Sequence, residues 1–189
     1  MDWEKRNPKG PIVSPKVMNA YSELLRDTLQ YLLDCQLANG NYPTRAGNKE
    51  AHLVQFCHGA PAFCLLYSNC LQRKLLEDID LKLSKANEEA GKLVYKEGLL
   101  TKGNGLCHGI PGNAFVFLKL YSLTKEREWL KKAERFLWFS RENFEQLFEI
   151  PDRPCSLYEG ISGLLVFLHN FVQVRNDSSF VPSFPAFDL

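Results

Sequence analysis

Cys107-His108-Gly109-Ile110-Pro111-Gly112-Asn113 has a counterpart fifty residues earlier, Cys57-His58-Gly59-Ala60-Pro61-Ala62-Phe63. A third copy follows fifty-one residues later, Tyr158-Glu159-Gly160-Ile161-Ser162-Gly163-Leu164. A step of that size indicates stacked supersecondary units rather than one wound domain. Each glycine opens a short apolar helix. Proline at 61 and 111 suits a first helical turn, where its missing N–H costs nothing, and Ser162 takes that place in the third copy. The helices read as 61–72, 111–122 and 161–174, apolar almost all round and therefore buried on most sides. Gly112 and Gly163 are expected to let neighbouring backbones pack closely.

The segments before them have a different pattern. Residues 16–36, 79–97 and 127–143 carry apolar positions at three- and four-residue spacing. Trp129, Leu130, Ala133, Phe136 and Leu137 make one stripe, with Lys131, Lys132, Glu134 and Arg135 opposite. That is an amphipathic helix with one solvated side. No hairpin strand signal is present. The fold class is therefore all-α, a single domain over 1–189 of about three helical hairpins, with outer amphipathic and inner buried helices. The glycine loops gather at the inner rim. The tails at 1–14 and 176–185, rich in Pro, Ser and Asn, are expected to wrap the surface. Phe184-Pro185-Ala186-Phe187-Asp188-Leu189 is too apolar for a free end and is expected to dock.

Composition narrows the function. The chain has 189 residues, 45% of them apolar, and a formal charge of +1 with no long run of either sign. Nucleic acid or an anionic membrane as the main partner would call for a basic face. No stretch approaches ~18 uninterrupted apolar residues, so no transmembrane segment is expected. The opening Met-Asp-Trp-Glu-Lys has neither a signal peptide's apolar core nor a glycine for myristoylation, and a cytoplasmic location is expected. In that compartment six cysteines point to metal binding or buried free thiols rather than a disulfide framework. Cys64, Cys70 and Cys35 read as small core residues. Cys155 lies in a loop with no evident partner.

Cys57, Cys107 and His108 are the candidate metal ligands. Two thiols and an imidazole from equivalent loops suit zinc, and three protein ligands leave one coordination position open for chemistry. The alternatives are two buried thiols with a core histidine, or a Cys57–Cys107 disulfide, which a reducing cytosol disfavours. His58 follows the first ligand and is a candidate donor at the open position, or else hydrogen-bonds a neighbouring loop. Glu159 stands where the other copies carry histidine, able to orient a bound group, hold an ammonium, or cap the following helix, the last being favoured. His169, mid-helix on an apolar face, reads as core. The loop Leu99-Leu100-Thr101-Lys102-Gly103-Asn104-Gly105 is glycine-rich and carries a lysine, a weak signal without Walker spacing.

These residues resemble the LanC-like family, the eukaryotic relatives of bacterial lanthionine cyclases, and match its C-terminal half. The matching stretches are Gly40-Asn41-Tyr42-Pro43, Cys57-His58-Gly59-Ala60-Pro61, Lys102-Gly103-Asn104-Gly105-Leu106-Cys107-His108-Gly109, Ser156-Leu157-Tyr158-Glu159-Gly160 and Phe184-Pro185-Ala186-Phe187-Asp188-Leu189. The resemblance implies part of an α/α toroid with zinc at its mouth, held by Cys57, Cys107 and His108. It implies glutathione as a partner and addition of a thiol to dehydroalanine or dehydrobutyrine in a peptide or protein, with Lys102 near the anionic substrate. Complete members carry further hairpins upstream, including a histidine and an aspartate with acid/base roles in the bacterial enzymes, and nothing in 1–56 matches them. Three hairpins leave the ring open, exposing apolar helix sides through which the chain could self-associate. Two readings from different classes therefore stand side by side: a zinc-dependent thioether-forming enzyme, and a non-catalytic zinc-stabilised module that binds glutathione or a protein. A glycoside-processing toroid ranks third, with only Glu159 and Asp152 to supply its carboxylate pair.

Overall fold

The computed structural model describes residues 14–185 and 187–188, which form seven α-helices and no strand. They are α1 (Pro15–Asp34), α2 (Ala60–Gln72), α3 (Asp80–Glu97), α4 (Ile110–Thr124), α5 (Arg127–Glu142), α6 (Phe144–Glu149) and α7 (Ile161–Asn176). A 3-10 turn over Glu77–Ile79 leads into α3. The chain divides into two compact units, Met1–Asp34 and Cys35–Leu189. Expectations for residues 1–13, Ala186 and Leu189 lie outside the described residues.

In the first unit, Ser14 caps α1, its hydroxyl accepting from the Val17 N–H at 3.4 Å and its carbonyl from Met18 at 3.0 Å. Val17, Tyr21, Leu24 and Tyr31 fall at helical spacing and are exposed.

In the second unit α2, α4 and α7 form an inner layer, with α4 packed against both others. Outer helix α3 packs on α2 and α4, and α5 packs on α4. This is the arrangement of hairpins in an α/α toroid. Every residue of α4 from Ile110 to Tyr121 is buried, because neighbours surround it. Phe117 lies against Trp129 and Phe136, and Phe115 against Phe167 and Phe184. Aromatic pairs in such geometries add ~1 kcal/mol each beyond the area they bury.

The repeat is visible in the bonding. Gln36 Nε2 donates to Ala86 O at 3.0 Å, Lys119 Nζ to Asn69 Oδ1 at 3.0 Å and Gln72 Nε2 to Ser122 Oγ at 2.7 Å, each across fifty residues. Equivalent positions of consecutive hairpins therefore touch. A β-carbon on Gly112 would lie 2.0 Å from Leu106 O, and one on Gly163 2.6 Å from Leu157 O. Only glycine allows those approaches.

The C-terminal segment docks. Phe184 is fully buried against Phe56, Phe115 and Phe187, and Tyr158 Oη donates to Pro185 O at 3.1 Å. Asp188 reaches Lys119 Nζ at 2.7 Å. Residues 176–185 do not simply wrap the surface, since Pro182 and Phe184 both turn inward. On α7, Leu165, Leu168 and Val172 remain exposed beside Trp138 of α5, lining an apolar groove. His169 shares that uncovered side and is exposed rather than core. No helix among the described residues is long and apolar enough to cross a membrane.

Candidate metal centre

The three repeated loops meet edge to edge. The Cys57 N–H donates to Cys107 O at 3.1 Å, and the Cys107 N–H donates to Tyr158 O at 2.8 Å. Each of these residues stands two places before its repeat's glycine, so main-chain bonds join equivalent positions of all three hairpins. A further bond from Leu106 N–H to Leu157 O at 3.3 Å extends the ladder.

Remote side chains brace the first loop. Asn41 Oδ1 accepts from the Ala60 N–H at 2.9 Å, capping α2 from nineteen residues away, while Asn41 Nδ2 donates to Leu53 O at 3.1 Å. Asn113 Nδ2 donates to Val54 O at 2.7 Å and Gly98 O at 2.8 Å. Gly59 has φ +109°, and a β-carbon there would lie 2.2 Å from Leu53 O. The residue after His58 must therefore be glycine for the loop to close.

This scaffold brings one ligand atom each from Cys57, Cys107 and His108 within 4.8 Å of one another. A four-coordinate zinc, with bonds of about 2.3 Å to sulfur and 2.0 Å to nitrogen, sets such atoms roughly 3.5–3.8 Å apart. Small side-chain shifts satisfy that, so the residues fit the ion. Cys57 is exposed and the other two are half-buried, leaving one side open to solvent.

The surroundings of Cys107 disfavour its thiolate. Burial, then the Cys57 sulfur beside it, then the Glu159 carboxylate push the Cys107 thiol up to about 12. Both cysteines stand just before a helix N-terminus, whose positive end favours a thiolate. At Cys107, burial and neighbouring negative charge outweigh that preference. A divalent cation held there would reverse the balance, because a coordinating thiol is deprotonated outright.

The remaining candidates fall around this cluster. The His58 side chain is exposed and supplies no atom to it, while its backbone pairs with Gln55 through bonds of 3.1 and 3.0 Å. Glu159 is half-buried and close enough to act on Cys107. It stands just ahead of α7, whose N-cap is Gly160, and its carboxylate makes no hydrogen bond to that helix among the described residues. Lys102 is exposed, and its Nζ donates to Gln55 Oε1 at 3.1 Å. Gln55 in turn donates from Nε2 to the Cys57 sulfur at 3.2 Å. No motif marked Gln55. It flanks the tight turn over Phe56 and Cys57 that its backbone closes with His58, and nothing in the sequence signalled that turn.

The cysteines outside the cluster divide by depth. Cys64 and Cys70 are buried as expected, Cys35 is only half-buried, and Cys155 is exposed.

Residues 18–188 match the model of the lanthionine synthetase C-like protein family. A Danio rerio protein named glutathione S-transferase LANCL1 is 31% identical over 170 residues, covering 88% of this chain and 39% of that protein. An Arabidopsis thaliana protein named LanC-like protein GCL1 is 32% identical over 144 residues, 74% of this chain and 32% of that protein. The chain thus spans less than half the length of either relative.

Proposed function

Because the chain belongs to the lanthionine synthetase C-like family, we propose that its loop rim adds a thiol, that of glutathione or a cysteine, to a dehydroalanine or dehydrobutyrine residue of a peptide or protein. One observation carries this: two sulfurs and a ring nitrogen from consecutive repeats lie within 4.8 Å of one another on a side open to solvent. Cys57, Cys107 and His108 would hold zinc. Zinc bound there would keep an incoming thiol as thiolate at neutral pH, where a free thiol of pKa ~8.5 is mostly protonated. The new S–C bond forms at the β-carbon, and a proton must reach the α-carbon, so the addition is redox-neutral.

The chain's own residues divide the remaining work. The exposed His58 imidazole, next to the first ligand, would carry the proton at a ring N–H and release it toward the α-carbon. The Lys102 ammonium would hold a carboxylate of glutathione, and the half-buried Glu159 carboxylate would receive its ammonium. The zebrafish relative's name, glutathione S-transferase, supports glutathione as the thiol.

The second reading is a zinc-stabilised module that binds glutathione or a protein without turnover. It is favoured by the cluster lying where main-chain bonds join all three repeats, so that a bound ion would fasten those loops together. Metal content and product formation separate the two. The enzyme reading expects one zinc per chain and a thioether between glutathione and a dehydroalanine peptide, both lost in Cys107→Ser. Bound zinc without product supports the module, and an absence of zinc overturns both.

A further inference from the structure

Gln55 is 6% exposed, has no charge and belongs to no motif, yet both ends of its amide are committed. Its Oε1 accepts from Lys102 Nζ at 3.1 Å, and its Nε2 donates to the Cys57 sulfur at 3.2 Å. The backbone holds it in place. The Gln55 N–H donates to His58 O at 3.1 Å, the His58 N–H donates to Gln55 O at 3.0 Å, and the preceding carbonyl of Val54 accepts from Asn113. A surface ammonium is thereby joined to the Cys57 sulfur of the cluster through a single buried amide.

Hydrogen bonds in such a chain polarise one another. The cation at Oε1 draws electron density through the amide and strengthens the Nε2 donor, which in turn draws density from the sulfur. Cys107 has no amide donor of this kind: its side-chain partner is Cys57, and Glu159 places negative charge near it. The two sulfurs are consequently unequal, one tied to a cation and the other facing an anion.

We infer that Gln55 is a positioning residue that fixes the Cys57 sulfur for the metal and couples its electron density to whatever occupies the Lys102 ammonium. The inference rests on the metal reading above and extends it. An anionic group that takes Lys102 away from Gln55 weakens the donor to Cys57 and leaves that sulfur richer in electrons. Metal and anion therefore sense each other across the amide, and linkage requires the effect to be mutual. Substrate arrival and the state of the metal centre become one event.

Cobalt(II) substituted into the full chain reports the sulfur directly through its thiolate-to-metal charge-transfer band. Gln55→Leu removes both hydrogen bonds. Gln55→Glu can still pair with Lys102 but offers the sulfur no donor. Lys102→Met lies at an exposed position, so it tests the relay even if the buried variants fold poorly. The expected result is a shift of the band to longer wavelength in all three, smallest in Lys102→Met. Chelator competition should show cobalt held about 10-fold more weakly in Gln55→Leu, the usual scale for losing an outer partner of a metal ligand. Bands superimposable on the parent's in Lys102→Met and in the folded Gln55 variants overturn the relay and leave the metal reading standing. Failure of the unsubstituted chain to bind cobalt overturns both.

Discussion

Cys64 shows how burial alone sets the chemistry of a side chain. It is fully enclosed on α2, and burial pushes its thiol up to about 12 from an ordinary 9.0, the Ser68 hydroxyl and the Lys119 charge opposing only in part. Below pH 9.0 the folded and unfolded chains both keep this proton, so it has no effect on stability. Above that value the unfolded chain releases the proton while the folded chain retains it until about 12. Stability must therefore fall as pH rises through this window, by one additional proton released on unfolding. Tyr42 and Tyr67 are likewise raised by burial and act in the same direction from about pH 10 upward. Urea titrations at pH 8, 9 and 10 check this. The Cys64→Ala variant should start less stable and lose stability less steeply, and parallel slopes would contradict the assignment. At this scale the sequence was readable where residue type and repeat coincide, as at Cys57, Cys107 and His108, which converge. Gln55 escaped because a neutral amide carries no signature until its two partners are seen. Glu159 was favoured as a cap on helix-dipole grounds; it stands just ahead of α7, but its carboxylate makes no hydrogen bond to that helix among the described residues.

The elements themselves were largely legible. Glycine and proline mark where α2, α4 and α7 begin, and the amphipathic stripes mark α1, α3 and α5, so predicted ends differ from observed ones by only a few residues. The six-residue α6 was missed, since a helix under two turns has no room to display a period. The docking of the C-terminal segment onto α4 was expected from its apolar residues, but its polar fastening was not. Lys119 is 1% exposed in the middle of an inner helix, paired with Asp188 at 2.7 Å, and Asp188 also accepts from the Phe184 N–H at 2.6 Å. Burial lowers the lysine's pKa and the aspartate opposes that shift. Removing one member of such a pair leaves an uncompensated charge, at a cost of about 3 kcal/mol, whereas replacing both by apolar groups restores much of the loss. Asp188→Ala should therefore destabilise strongly, and Lys119→Met with Asp188→Ala should recover part of it. Denaturant midpoints of the two variants decide the matter.

For the unit over Cys35–Leu189, the contrast between α4 and α7 governs behaviour. Helix α4 is enclosed on all sides, whereas α7 leaves Leu165 58% exposed, with Leu168 and Val172 beside it. Apolar surface that stays in water contributes nothing to folding, so a charged replacement at Leu165, the most exposed of the three, should change stability by only about 0.5 kcal/mol. Leu165→Glu should nevertheless reduce the binding of a fluorescent hydrophobic dye. A large loss of stability would mean that this face is packed. The exposure explains His169 as well: periodicity placed it on an apolar face but could not tell whether anything covers that face.

The ladder from Cys57 through Cys107 to Tyr158 is made of backbone groups alone. Location and identity at the rim are thus separate variables: the peptide links decide where each side chain stands, and the side chain decides what it does there. A mutation at any of these three places can exchange thiol for phenol, as repeat three already has, without disturbing the register that holds its neighbours. Such a rim can acquire or lose reactivity one substitution at a time while the architecture beneath it stays fixed.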